Sequence, residues 1–206
     1  MLRRFVVEKD ERALLTRNGE FVEVLRSGSY WFFDPLRRLA VENFSLTHPR
    51  FEHPLAERIA VSEPQVAARE FHVLHLGPRE VGLRYENGVL VEVLPPDSRH
   101  WYWRAKVDVR CVVLDITHDY TVARSLVPLL VMGNGAAAAV AGADAVLAVR
   151  VPECYSGVLT NDGKTVKRLA PGLHAFWRYG RNLRVDLVAR PDASVDCPGG
   201  REAAAA

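Results

Sequence analysis

One pattern recurs three times in the 206 residues, and this repeat restricts the chain to architectures built from a single small unit. Counting from Gly19, Gly88 and Gly163, a leucine stands six places later (Leu25, Leu94, Leu169) and a turn residue nine places later (Gly28, Asp97, Gly172). Aromatics follow at thirteen and fourteen: Phe32-Phe33, Trp101-Tyr102 and Phe176-Trp177. Each glycine is preceded by Asn18, Asn87 or Asp162, and six places before it stands Ala13, Gly82 or Gly157. The spacings align without a gap. The copies run from about Phe5 to Leu46, Phe71 to Asp115 and Leu147 to Val188, separated by two dissimilar linkers.

Asn-Gly and Asp-Gly readily take the positive φ angles of a two-residue type I′ turn, so each copy reads as a hairpin around its glycine. In the second copy residues 81–85 lead in, residues 89–93 lead out, and Pro95-Pro96-Asp97 breaks the ladder. An aromatic strand follows. Then Val107, Val109, Cys111 and Val113 share one face by their period of two, which makes Cys111 a core thiol; Leu183, Val185 and Leu187 do the same in the third copy. The expected fold is mainly β: three repeated modules of about five short strands each, joined by short helical linkers. The modules occupy residues 1–50, 71–118 and 147–189. The linker 51–70 holds two short helices opened by Pro54 and Pro64, since proline suits the first helical position. The apolar, Gly/Ala-rich linker 119–146 holds a helix from Val122 to Met132, bent or interrupted at Pro128, and a second from Ala136 to Val146; residues 190–206 form a frayed tail.

Lys and Arg number 27 against 25 Asp and Glu, a formal charge of +2, and no basic stripe stands out, which argues against nucleic acid as a partner. Cys111, Cys154 and Cys197 are odd in number and far apart, the pattern of free thiols in a reducing, cytoplasmic compartment. The start Met1-Leu2-Arg3-Arg4-Phe5-Val6-Val7-Glu8 has too short an apolar run for a secretion signal. Residues 126–149 lack Lys, Arg and Glu over a length that would cross a bilayer, yet Pro128, Gly133, Asn134, Gly135, Gly142 and Asp144 interrupt them, which favours a buried linker.

Chemical motifs are sparse. Gly133-Asn134-Gly135-Ala136-Ala137-Ala138 matches the relaxed dinucleotide pattern GxGxxA, with Glu153 twenty residues past Gly133, but it lacks the alternating strands and helices such a site needs. His72 and His75 turn to opposite faces of one strand; His48 and His53 flank a proline-bounded loop. Asp108, Asp115 and Asp186 stand on regular strands and compose no catalytic set. No catalytic residue, cofactor site or metal site is expected. Aromatics cluster in the repeated strand, as Tyr30-Trp31-Phe32-Phe33, Trp101-Tyr102-Trp103 and Phe176-Trp177 with Tyr179. Neighbours in a strand face opposite ways, so some rings must meet a sister copy, a partner or lipid. The contact candidates are Trp31, Phe33, Trp101, Trp103, Trp177, Leu129, Leu130 and Met132, with Arg3-Arg4 and Arg37-Arg38 beside the first cluster.

The string Val151-Pro152-Glu153, Gly157-Val158-Leu159, Asp162-Gly163-Lys164, Leu169-Ala170-Pro171-Gly172-Leu173-His174-Ala175-Phe176-Trp177 and Val185-Asp186-Leu187 resembles the opening of an SPFH (stomatin, band 7) domain. The three copies together, from about Phe5 to Leu187, resemble the N-terminal half of bacterial slipins. After Leu187 the sequence departs into Val188-Ala189-Arg190-Pro191, and the rest of the SPFH core and the coiled-coil helix have no counterpart. The resemblance implies a non-enzymatic scaffold, peripheral on the inner membrane, that associates with itself and with NfeD-type partners or membrane proteases. Two other classes stay open: a soluble module binding a small ligand in an aromatic-lined pocket between copies, and a nucleotide-dependent enzyme resting on the Gly133 to Ala138 match.

Overall fold

Each copy of the repeat forms five strands. The first has β1 (Leu2–Val7), β2 (Glu11–Arg17), β3 (Glu20–Leu25), β4 (Gly28–Phe33) and β5 (Leu39–Ser45). The second has β6 (Phe71–His75), β7 (Glu80–Glu86), β8 (Val89–Leu94), β9 (Arg99–Trp103) and β10 (Val109–Asp115). The third has β11 (Val146–Val151), β12 (Tyr155–Asn161), β13 (Lys164–Leu169), β14 (Gly172–Trp177) and β15 (Leu183–Ala189). This computed structural model describes residues 2–131 and 140–190. The chain divides into two units, Met1–Leu114 with the first two modules and Asp115–Ala206 with the third.

The topology is the same in every module. The first and fourth strands pair as an antiparallel ribbon (β1–β4, β6–β9, β11–β14), and the second strand is the centre of a three-stranded sheet (β3-β2-β5, β8-β7-β10, β13-β12-β15). The hairpins are the expected type I′ turns, with φ of 53° and 81° at Asn18-Gly19, 50° and 83° at Asn87-Gly88, and 51° and 76° at Asp162-Gly163. Just beyond each turn the register slips: Leu15 faces Glu23 while Thr16 faces Phe21, and the other two hairpins behave alike. The residue left over is a valine each time, Val22, Val91 or Val166, so a β-bulge bends all three hairpins at one place.

Ribbon and sheet close on a small apolar core. In the first module Val7, Ala13, Leu15, Leu25 and Leu39 are buried with Phe32 and Val41 against them; in the third, Val151, Leu159, Leu169, Phe176 and Leu183. The repeated small residue follows from this closure. A Cβ on Gly157 would lie 3.1 Å from Val151 and 3.2 Å from Leu169 and Val185, and one on Gly82 would lie 3.0 Å from Leu76. Neither glycine has a positive φ; the ribbon comes too close for a side chain much beyond the methyl group of Ala13.

The second module departs from the ungapped alignment. Phe5 pairs with Tyr30 and Val149 with His174, whereas the equivalent Leu74 pairs with His100, one place further from its glycine. One extra residue lies in the turn Pro95-Pro96-Asp97, and it moves every later position by one. Phe32, Tyr102 and Phe176 are therefore the equivalent inward rings, and Trp31, Trp101 and Ala175 share the opposite face, as do Phe33, Trp103 and Trp177.

The linkers hold α1 (Ala56–Ser62), α2 (Pro64–Glu70) and α3 (Val127–Val131). Pro64 stands in the first turn of α2, as expected, whereas Pro54 lies just ahead of Leu55, the cap of α1, and not in its first turn. Pro128, like Pro64, lies in a first turn, so of the two expectations for a helix from Val122 it is interruption, not a bend, that occurs: α3 starts at Val127. Of the second helix expected from Ala136 to Val146, residues 136–139 lie outside the described residues, and the remainder is a short 3-10 turn at Ala143–Ala145 leading into β11. Among the described residues no helix is long and apolar enough to cross a membrane. Cys154 is disulfide-bonded, which corrects the expectation of three free thiols and removes the compartment argument built on it. Cys111 is free and half-buried beside the second core.

Candidate functional site

The outer face of each ribbon carries the aromatics that do not enter the module core. In the second module that face presents Phe71, Val73, Trp101 and Trp103, and the linker covers it. Phe51, Ala56, Ile59 and Ala67 pack on Phe71, Trp101 and Trp103 together with Leu14 and Val24 of the first hairpin. The Trp103 ring lies 4.3 Å from Phe71 and 5.0 Å from Phe51, centroid to centroid.

The cover is also a strand. Trp103 N–H donates to the Pro49 carbonyl and Phe51 N–H to the Trp101 carbonyl, each at 2.8 Å, so Arg50 bridges Tyr102 antiparallel along the free edge of β9. The third module repeats this. Trp177 N–H donates to the Tyr120 carbonyl at 2.8 Å and Val122 N–H to the Ala175 carbonyl at 2.9 Å, with Thr121 bridging Phe176. α3 then lies against β11, and Val122, Val127, Leu130 and Trp177 are all buried.

The two linkers are thus not dissimilar where they cover a ribbon. Five and eight residues beyond the bridging Phe51 come the buried Ala56 and Ile59; five and eight beyond Val122 come the buried Val127 and Leu130. Half-buried Leu55 and Leu126 both stand at four. Bridge and helix together form a strand–helix arm.

The first module has the ribbon without the arm. Leu2 faces Phe33 and Arg4 faces Trp31 across β1–β4, and all four are exposed, Phe33 at 75% and Trp31 at 58%. Among the described residues no bridge is made to the edge of β4 where the Trp31 carbonyl and Phe33 N–H correspond to the paired groups of β9. Arg4 stands 5.7 Å over the Trp31 ring and donates to Ser29 Oγ at 3.2 Å. The following turn exposes Leu36 at 66% beside exposed Arg37 and Arg38. Beneath the face, buried Asp34 fixes the ribbon: it accepts from Arg3 at 3.0 Å and from the amides of Arg38 and Leu39 at 2.9 and 3.1 Å. Desolvation pulls its pKa up, but these hydrogen bonds outweigh it and hold the carboxyl below its ordinary value.

The second module carries a polar cluster around Arg84. Arg84 occupies the place of Leu15 and Leu159, donating from Nε to Glu92 at 2.7 Å and pairing with Glu86. Arg50 donates to the other Glu92 oxygen at 2.7 Å and to His100 Nδ1 at 3.4 Å. An arginine only donates, so Nδ1 accepts and the His100 proton is on Nε2, 2.9 Å from Ser98 Oγ, which itself donates to the Pro95 carbonyl. That tautomer is the wrong one for His100 to take a proton from Ser98. Burial, aided by Arg50, lowers the His100 pKa; burial pushes the Tyr102 hydroxyl and the Cys111 thiol up, so both stay protonated at neutral pH. The Tyr102 hydroxyl is fully buried with no hydrogen-bond partner. The arrangement ties the arm to the module through Arg50 and offers no activated nucleophile.

Of the contact candidates, Trp31 and Phe33 are exposed, while Trp101, Trp103, Trp177 and Leu130 are buried in the chain's own core. Leu129 is half-buried, and Met132 lies outside the described residues, as does the Gly133 to Ala138 motif. Among the described residues no group of three His, Cys, Asp or Glu is placed to hold a metal ion. A cleft of about 550 Å³ beside α1 is lined by Glu20, Phe21, Glu57, Arg58, Val61, Ser62 and Glu63, a single ring among charges. Comparison with protein-family models, characterised proteins and solved structures finds no match for this chain.

Proposed function

We propose that the chain is a non-enzymatic scaffold module that works at a membrane surface by presenting docking faces, in the manner of the slipins its sequence resembles. The observation that supports this is the outer face of the first ribbon, which exposes Leu2, Val6, Trp31 and Phe33 while the matching residues Trp101 and Trp103 of the second ribbon and Ala175 and Trp177 of the third are buried. Contiguous exposed apolar surface rimmed by polar groups marks interaction sites. Leu36 with Arg37 and Arg38 supplies the lipid-directed part, each arginine contributing about 1 kcal/mol near an anionic leaflet. Self-association and NfeD-type or protease partners belong to the same reading. Flotation of the full chain with anionic phospholipid vesicles, at low and physiological salt, tests it. Flotation that survives salt and is lost in Leu36→Asp is the expected result; a chain that neither floats, nor self-associates in sedimentation, nor binds through the first ribbon removes the proposal.

A further inference from the structure

We infer that the first ribbon is the receptor for a strand–helix arm supplied by a partner polypeptide, an arm of the kind the chain itself lays on its other two ribbons. This inference takes the contact face of the scaffold reading and names its occupant. The chain shows twice what fits such a face: three extended residues along the fourth strand, then a short helix whose apolar side lies on the ribbon. Both arms carry an apolar residue at the end of the bridge and apolar residues five and eight places on. The first module supplies the strand edge and the two rings. The Trp31 carbonyl and Phe33 N–H stand in register with the Trp101 carbonyl and Trp103 N–H that hold the second module's arm, and the rings of Trp31 and Phe33 stand where Trp101 and Trp103 are covered. Adding a strand to a free edge gives main-chain affinity, and the side chains beside it give selectivity.

Charge narrows the occupant further. In the second module Glu57, in the first turn of α1, accepts from Arg99 Nη1 at 2.5 Å and from Trp101 Nε1 at 3.4 Å. The third module has alanine, Ala175, in place of that tryptophan. The first module has Trp31 again, with Arg4 over its ring. The arm it receives therefore carries a carboxylate in the first helical turn, set to meet Arg4 and the Trp31 indole N–H. Lipid headgroups satisfy the charge but offer no amide and carbonyl for the β4 edge.

The test uses the full chain and a synthetic peptide of its residues 47–63, which contain bridge, Glu57 and Ile59. Trp31 is the exposed tryptophan, the other three being buried, so its emission reports on this face. Expected are a blue shift of that emission and slowed amide exchange at Phe33, with affinity falling at least tenfold for Phe33→Asp in the protein or Glu57→Lys in the peptide. Phe33 is exposed, so its replacement leaves the core intact. Because the arms in the other modules are tethered, a second form joins the same segment by a flexible linker ahead of Leu2, raising its effective concentration. If the tethered arm changes neither Trp31 emission nor Phe33 exchange, the inference is overturned. A blue shift caused by anionic vesicles but not by the arm overturns it in favour of lipid and leaves the scaffold reading standing; no response to either overturns the inference alone, and the scaffold reading then stands or falls on flotation and self-association.

Discussion

Trp103 and Phe33 occupy equivalent places on their ribbons, and truncating each to alanine separates what the arm contributes from what the ribbon contributes. Trp103 is 2% exposed. A buried tryptophan removes roughly 200 Å² from water, about 5 kcal/mol at 25 cal/mol per Å². Its indole N–H has no partner, and truncation relieves about 1–2 kcal/mol of that desolvation cost. Trp103→Ala is therefore expected to destabilise the first unit by about 3–4 kcal/mol. Phe33 is 75% exposed, so only about 50 Å² of ring is at stake and Phe33→Ala costs roughly 1 kcal/mol. Trp103→Phe keeps the packing, removes the orphan donor and stays within about 1 kcal/mol of the parent. Because both residues lie in the first unit, the readout is local: native-state hydrogen exchange at β6–β9 amides for Trp103 and at β1–β4 amides for Phe33. Equal losses for the two alanine variants, within about 0.5 kcal/mol, refute the assignment of the arm as the difference between the modules.

Gly88 has a φ of 83° and open space around its Cβ position, so Gly88→Val strains only the backbone and lowers the second module's stability by roughly 1–2 kcal/mol, read as a fall in Tm. The acid side of the stability curve is expected in two parts. His72 and His100 titrate below their ordinary 6.5, chiefly because burial disfavours the charged form, so the unfolded chain binds more protons and stability declines as pH falls below about 6.5. Glu70 is buried, and that pulls its pKa up, but hydrogen bonds from Arg26 and Arg69 outweigh the burial and hold it below 4.5; with Asp34 it contributes stability present above that pH and lost as the folded-state pKa is crossed. Melting curves across pH check both parts: His100→Gln flattens the first and Glu70→Gln the second, and a curve flat from pH 7 to 3 contradicts both.

Much of the fold is legible in the residues. Asn-Gly and Asp-Gly at fixed distances mark the hairpins because few other pairs accept two positive φ angles, and the period of two in residues 107–113 and 183–187 marks the closing strands. The aromatic strand is less legible, since adjacent rings face opposite ways and one extra turn residue at Pro95-Pro96-Asp97 reverses which ring enters the core. Spacing alone pairs Phe33 with Tyr102, whereas strand pairing matches Phe33 with Trp103. The arms are hidden for another reason: three residues of bridge and one or two helical turns carry too few apolar positions to stand out. Phe51, Leu55, Ala56 and Ile59 match Val122, Leu126, Val127 and Leu130 in spacing and not in identity. Of the seven contact candidates among the described residues, only Trp31 and Phe33 remain wholly on the surface, because exposure depends on what the rest of the chain lays over each ribbon.

The arms also change where one unit of this chain ends and the next begins. Sequence similarity starts the second and third copies near Phe71 and Leu147, but the cover for each ribbon comes from residues upstream, from Pro49 and from Tyr120. The structural piece is arm plus module, about 47–115 and 119–190, and the polypeptide between two similar stretches packs with the one that follows it. A cut at Phe71 takes β9 away from the strand on its edge and leaves Trp101 and Trp103 facing water; a cut near Thr47 carries the cover along. Excision, fusion and recombination among such repeats succeed or fail on that offset of some twenty-five residues.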